Sequence, residues 1–200
     1  SQVTQRESEK AATVAVVAQR EAEFSAAQKH LARTEELAAR GTASVQTLDD
    51  DRAEFQGNKA AVSAAKAQLA AADAVVIIAP EWNGMACPAI KNFFIYASKA
   101  ELAHKPGLLV GVSSGIGGAY PISELRASSY KNCRLCYLPE HLIVRQVEKV
   151  LNGPQPVDEA DERIRARIDY TLDVLVRYAH ALQPVRAAIS FDNPAFSNGM

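Results

Sequence analysis

The sequence predicts an α/β fold, a parallel sheet with flanking helices, preceded by a helical antiparallel hairpin. Three observations carry this reading. First, residues 1–73 contain no proline and are rich in Ala, Glu, Lys, Arg and Gln, whereas all nine prolines and eight of the ten glycines lie beyond Gly57. Second, apolar residues in the first part recur every seven positions, the seam of packed helices. Third, Ala74–Ala79 and Gly107–Val112 are short, continuous apolar runs. Each leads into a loop rich in Pro, Gly, Ser or Asn, the mark of parallel strands buried on both faces. The chain therefore divides into residues 1–73, a helical hairpin, and residues 74–200, an α/β domain.

Composition narrows the function classes. With 200 residues, 48% hydrophobic and 22% charged, the chain is long and apolar enough for a core. A net charge of -1 argues against a nucleic-acid partner. No apolar run approaches the ~18 residues of a membrane span. Three cysteines do not make a disulfide scaffold. The stretch from Ser1 is polar, and no signal peptide is read in it.

Within the first part, Val17, Phe24, Leu31 and Ala38 form one series of seven-residue spacings, and Leu48, Phe55, Val62 and Leu69 form another. They mirror each other about Gly41–Ser44. Folding back there sets Ala38 near Leu48, Leu31 near Phe55, Phe24 near Val62 and Val17 near Leu69, as in a coiled-coil hairpin. Gly41 suits the left-handed end of the first helix. Ser44 or Thr47 suits the start of the second, with Asp49, Asp50 and Asp51 in its first turn. An alternative stays open: Thr13–Ala18 and Ala43–Leu48 as strands one and two of a single doubly wound domain, with helices Glu21–Arg40 and Lys59–Ala72 between and after them. Ala-rich runs are poor strand formers, and Gln19–Glu23 lacks the glycine turn that a phosphate would need there.

From Ala74 onward the elements follow in order. After strand Ala74–Ala79, Pro88 opens a helix to about Lys99, with Ile90, Phe93, Phe94 and Ala97 on one face. Strand Gly107–Val112 precedes a helix near Ile122–Tyr130 and a strand near Arg134–Leu138. Asp158 caps a long final helix whose stripe is Ile164, Ile168, Leu172, Leu175, Val176, Ala179 and Leu182, and Pro184 marks its end. The tail Ser190–Met200 reads as irregular.

Ligands of open α/β sheets bind at the carboxyl ends of the strands. Two loops there are chemically distinctive. In Pro80-Glu-Trp-Asn-Gly-Met-Ala-Cys-Pro88, backbone amides and Asn83 can meet the edge of a planar heterocycle, and Trp82 or Met85 can cover its face. The glycines of Ser113–Tyr120 allow a ligand close to the backbone.

These residues resemble the NADPH-dependent FMN reductase family of the flavodoxin-like fold. Pro80-Glu81-Trp82-Asn83-Gly84 is similar to that family's Pro-Glu-Tyr-Asn-Gly loop, Pro88-Ala-Ile-Lys-Asn92 to its next helix start, and Ser113-Ser-Gly-Ile-Gly-Gly118 to its second flavin loop. The resemblance implies a flavoprotein oxidoreductase that passes a hydride from NAD(P)H to FMN and then reduces a small-molecule acceptor. Its flavin would lie against Pro80, Glu81, Trp82, Asn83, Gly84, Met85, Ser113, Ser114, Gly115, Gly117, Gly118 and Tyr120. No catalytic side chain and no metal are required. A cytoplasmic homodimer or larger assembly is expected. One departure stands out: no Gly-Ser-x-Arg-type phosphate loop precedes Pro80.

Residues 19–73 resemble a different family, the hairpin of periplasmic adaptor (membrane fusion) proteins. Arg33, Leu37 and Ser44 sit at the spacing with which that family's hairpin tip contacts an outer-membrane channel. This implies an alternative, periplasmic binding function. Because the two families work in different compartments, a chimera with neither activity intact is a third reading.

The remaining candidates carry structural readings. Cys133 and Cys136, three apart on a strand, point to opposite faces and read as ordinary thiols. Cys87 lies near the first loop. His141 reads as a loop or interface residue, and His30, His104 and His180 show no ligand spacing. Arg126 and Arg145 read as surface salt bridges rather than phosphate ligands.

Overall fold

The computed structural model describes residues 2–190 and 193–196, with side chains from Gln19 to Ser190 and over 193–196. The chain opens with α1 (Gln2–Ala39) and α2 (Val45–Ala71), which pack along each other. Gly41 at φ 73° ends the first helix, and the Ser44 hydroxyl accepts from the Thr47 amide at 3.0 Å to start the second. Residues 13–18 are helical and Val45–Leu48 open α2, so the two-strand alternative does not hold. Asp49, Asp50 and Asp51 lie one turn later than expected, because α2 begins at Val45.

One aromatic contact of the hairpin is not the one the mirrored heptads assign. Phe24 meets the Phe55 ring, centroids 5.2 Å apart, one heptad earlier in α2 than the expected Val62. Polar pairs cross the same seam: Lys66 with Glu21 at 2.7 Å, Arg52 with Glu35 at 3.5 Å, and His30 with the buried Asp51 at 3.1 Å. With alanine at so many flanking positions, the two phenylalanines are the bulkiest groups available and pack together. The expected contact of Val17 lies outside the described side chains.

The rest of the chain forms β1 (Val75–Trp82), β2 (Met85–Ala86), α3 (Pro88–Tyr96), α4 (Lys99–Leu102), β3 (Pro106–Val112), α5 (Ala119–Ser128), β4 (Cys136–Val144) and α6 (Glu159–Ala188). A 3₁₀ turn, Pro194–Phe196, follows. The sheet order is β2-β1-β3-β4, with β1, β3 and β4 parallel and β2 antiparallel to β1. One face packs Ile77 and Leu109 against Phe93 of α3, Ile122 and Leu125 of α5, and Ala65 and Leu69 of α2. The other packs Leu108, Val110 and Leu142 against Leu175 of α6. Along Val75–Pro80 the strand partner is β3, and α1 comes against β1 and α3.

Three elements end differently from expectation. The first predicted helix breaks at Ala97, where Ser98 and Glu101 form a capping box that starts α4. The last strand runs over Cys136–Val144 rather than Arg134–Leu138, and only Cys136 of the two cysteines lies on it. Arg134, at φ 58°, turns the chain between them. Pro139 is accommodated at the register shift between Gly107 and Leu109. Pro184 lies inside α6, which continues to Ala188. Its last turn is held by Arg186, whose guanidinium pairs with the Asp73 carboxylate at 2.5 Å and also donates to the Asp73 carbonyl.

Lys105 fastens the hairpin to the sheet. Only 5% exposed, its ammonium donates to the carbonyls of Leu69 and Ala70, both at 2.8 Å, at the C-terminus of α2. Burial pushes its pKa down from 10.5 to about 8, and Arg186 adds to the effect. The unfolded chain therefore binds this proton more tightly than the folded chain, and stability rises with pH between those values. Relative to Lys105→Met, the wild type should gain up to about 3 kcal/mol between pH 8 and pH 10.5. Urea midpoints measured across that range should diverge; parallel profiles would show that the lysine is not desolvated.

Candidate functional site

Parallel pairing brings the two distinctive loops together. β1 and β3 run in register from Val75↔Gly107 to Pro80↔Val112, so both strands deliver their following loops to one end of the sheet. The first loop is a two-residue hairpin. Trp82 pairs with Met85, and Asn83 (φ 50°) and Gly84 (φ 75°) both occupy the left-handed region, the conformation that makes Asn-Gly the preferred two-residue turn. The hairpin leads into Cys87, which caps α3, and Pro88 occupies its first turn.

The second loop is held from three sides. The Ser113 amide donates to the Val144 carbonyl at 2.9 Å, and the Gly115 amide donates to the Ser113 hydroxyl at 3.2 Å. Arg145 donates through Nε to the Gly117 carbonyl at 3.1 Å. Gly118, at φ 96°, caps α5, and its amide donates to Glu81 Oε2. That last bond ties the first loop to the second.

The glycines divide into two kinds. A methyl group on Gly117 would overlap the Glu81 carboxylate, one on Gly111 the Gly118 carbonyl, and one on Gly118 would come within 2.6 Å of Ile143. These three glycines let the second loop pack against β3, β4 and Glu81. Gly115 faces open space, and a methyl on Gly84 would only touch the Tyr120 ring at 4.0 Å. Within Ser113–Tyr120 the room expected for a ligand beside the glycines therefore narrows to Gly115, and Gly84 is an open position in the first loop.

What the loops present outward is apolar and aromatic. Trp82 is 60% exposed, Met85 53%, Ile116 79% and Tyr120 69%. Pro80, Asn83 and Ser114 are also exposed, while Glu81, Gly84, Ser113 and Gly117 are half-buried and Gly118 is buried. The twelve residues expected at the site therefore lie in two adjoining loops and on the strand and helix ends that border them. Sequence reasoning missed Glu124 and Lys91. Glu124 on α5 accepts from the Ala86 amide at 2.7 Å and pairs with Lys91 of α3, and these two contacts hold its carboxyl below the usual carboxylate range. Its position 38 residues after its partner Ala86 offers no local signal. Beside the second loop, an open cleft of about 560 Å³ lies between the end of β4 and the start of α6, with Arg145, Arg163 and Arg167 on its walls.

Other candidates are placed away from this chemistry. Arg33 is exposed, Leu37 is 38% exposed with its carbonyl accepting from the Thr42 amide, and the Ser44 hydroxyl is spent on the α2 cap. Arg126 reaches the carbonyls of Leu138, Pro139 and Glu140 rather than a carboxylate, and Arg145 likewise binds a carbonyl. Cys87, Cys133 and Cys136 are all free thiols. Among the described residues no cluster of His, Cys, Asp and Glu is arranged to hold a metal, and no helix is long and apolar enough to cross a membrane. Gly118→Ala should destabilise the fold by about 1–3 kcal/mol, because it combines a left-handed φ with overlap on Ile143. The change would be read from the urea midpoint, and an unchanged midpoint would refute this account of the loop.

The family model for NADPH-dependent FMN reductase matches residues 4–149. That match runs through both hairpin helices, and the adaptor resemblance of residues 19–73 finds no support. A curated relative, the NADPH azoreductase of Bacillus sp. (strain OY1-2), is 37% identical over 76 residues, covering 38% of this chain and 43% of that protein. The chain thus spans less than half the length of the curated relative it matches. Among solved structures, FerB, a flavoenzyme NAD(P)H:(acceptor) oxidoreductase from Paracoccus denitrificans, is 22% identical, covering 61% of this chain and 69% of that chain, with a TM-score of 0.49. An oxidoreductase from Corynebacterium diphtheriae is 12% identical over 94% and 90% of the two chains, with a TM-score of 0.45. An NADPH-quinone reductase from P. pentosaceus is 18% identical over 60% and 73%, with a TM-score of 0.36. With a family model matched over most of its length, the chain belongs to the NADPH-dependent FMN reductase family.

Proposed function

We propose that this protein is a flavin-dependent NAD(P)H oxidoreductase that reduces a small-molecule acceptor. The observation that carries the proposal is the pair of loops after β1 and β3, bound to each other through Glu81 and Gly118 and presenting Trp82, Met85, Ile116 and Tyr120 outward. The flavin, when bound, supplies the redox chemistry by accepting a hydride from NAD(P)H and passing electrons on. The residues that would face its ring fit that task. Gly84 and Gly115 leave room beside the backbone, the Asn83 side chain is exposed at the turn, and aromatic groups flank the opening. The residues that would take its phosphate do not fit as well. The described chain ahead of β1 is the helical pair α1 and α2, with no glycine-rich turn feeding a helix N-terminus.

The protein's share of the work is orientation. The left-handed Asn83-Gly84 turn fixes where Trp82 and Met85 stand, and the Glu81 bond prevents the second loop from swinging away from the first. Assembly into a homodimer or larger oligomer belongs to the same proposal, since the exposed apolar residues around the loops gain cover from a second copy.

Trp82 is the single tryptophan of the chain, so its emission reports directly on the site. Titration with flavin should quench it, and NADPH oxidation should depend on added flavin. Trp82→Ala should weaken flavin binding roughly tenfold, about 1.4 kcal/mol, through loss of aromatic contact. Absence of both quenching and flavin-dependent NADPH oxidation would overturn the proposal.

A further inference from the structure

We propose that the site recognises its flavin by the ring alone, and so takes riboflavin as readily as FMN. This rests on the flavin reading above and goes beyond it to the choice of ligand. The backbone amides around the two loops are where a phosphate would bind first, since amides at a helix N-terminus are the ordinary phosphate donors. The Gly118 amide, at the start of α5, is bound by the Glu81 carboxylate. The Ala86 amide, just ahead of α3, is bound by the Glu124 carboxylate at 2.7 Å. The first residue of α3 is Pro88, which has no N–H to offer. The amides of Ser113 and Gly115 are used by the Val144 carbonyl and the Ser113 hydroxyl. Two of the donors best placed for an anion are therefore already satisfied by anions of the protein itself.

Charge points the same way. Lys91 pairs with Glu124, whereas Glu81 has no cation within ion-pair distance among the described residues, so its carboxylate repels a phosphate brought to the loops. Each guanidinium on the walls of the adjoining cleft has a protein partner. Arg145 binds the Gly117 carbonyl, Arg163 pairs with Glu159 at 2.5 Å, and Arg167 reaches the His141 carbonyl at 3.4 Å. The ring side has no such obstacle, because Trp82, Met85, Ile116 and Tyr120 are exposed and Gly84 and Gly115 are open. Binding by such a surface comes from aromatic and apolar contact, which does not distinguish the two flavins.

The test compares riboflavin and FMN by quenching of Trp82 emission on the full chain, at low and high salt. The two dissociation constants should agree within about threefold, and salt should not weaken FMN, since no attractive phosphate contact is there to be screened. Glu81→Gln keeps an acceptor for the Gly118 amide but removes the charge; it should raise the affinity for FMN relative to riboflavin a few-fold. FMN tighter than riboflavin by tenfold or more, with the advantage lost at high salt or in Arg145→Ala, would overturn the inference while leaving the flavin reading intact. Glu81→Gln shifting both flavins equally would overturn the role given to its charge. Quenching by neither flavin would overturn the inference together with the flavin reading itself.

Discussion

The parallel pairing of β1 with β3 is the constraint on which the rest of this molecule depends. Because the strands run the same way and stay in register through Pro80↔Val112, the chain leaves both at the same end of the sheet. A shift by one residue would turn Ile77 and Leu109 off the face they share with Phe93 and Leu125, so the register is fixed by burial as much as by hydrogen bonds. The first loop can then turn tightly through Asn83-Gly84, and the second can reach back to Glu81. Neither loop has a large core of its own. Each is placed by the strand it follows.

The same sheet explains why the helical hairpin is part of the molecule rather than an attachment. Ala65 and Leu69 of α2 are buried with Ile77 and Phe93, Lys105 closes the end of α2, and Arg186 of α6 closes on Asp73 beside it. Three elements distant in sequence therefore meet at the point where the hairpin gives way to β1. A family match beginning at residue 4 agrees with this continuity.

Much of the architecture was legible because it rests on local rules. Gly41 and Ser44 were readable as the turn of the hairpin, since a left-handed residue and a side-chain acceptor are needed there. The two apolar runs were readable as buried strands, and the Asn-Gly pair lies in the loop the sequence singles out. Where the reading slipped, a long-range partner had intervened. Pro184 stays within α6 where Arg186 ties the helix end to Asp73. Phe24 chose Phe55 over the position that the heptads assign to it. β4 runs on through Pro139, with Arg126 of α5 bound to the carbonyls around that residue.

By itself the sequence determined the fold class, the hairpin turn and the two loops that make up the candidate site, because periodicity, capping and turn chemistry act over a few residues. Only the tertiary structure decided what those loops do to each other. Glu81 stands in a loop the sequence singles out and Glu124 in no motif at all, yet the fold sets each against an amide, one beside the second loop and one beside the first. It likewise separates the glycines needed for packing, Gly111, Gly117 and Gly118, from Gly84 and Gly115, which leave space. The physical reason is the same in both cases. A carboxylate's partner and a missing side chain's neighbour are set by strands brought together across the sheet, and no local pattern in the chain encodes that distance.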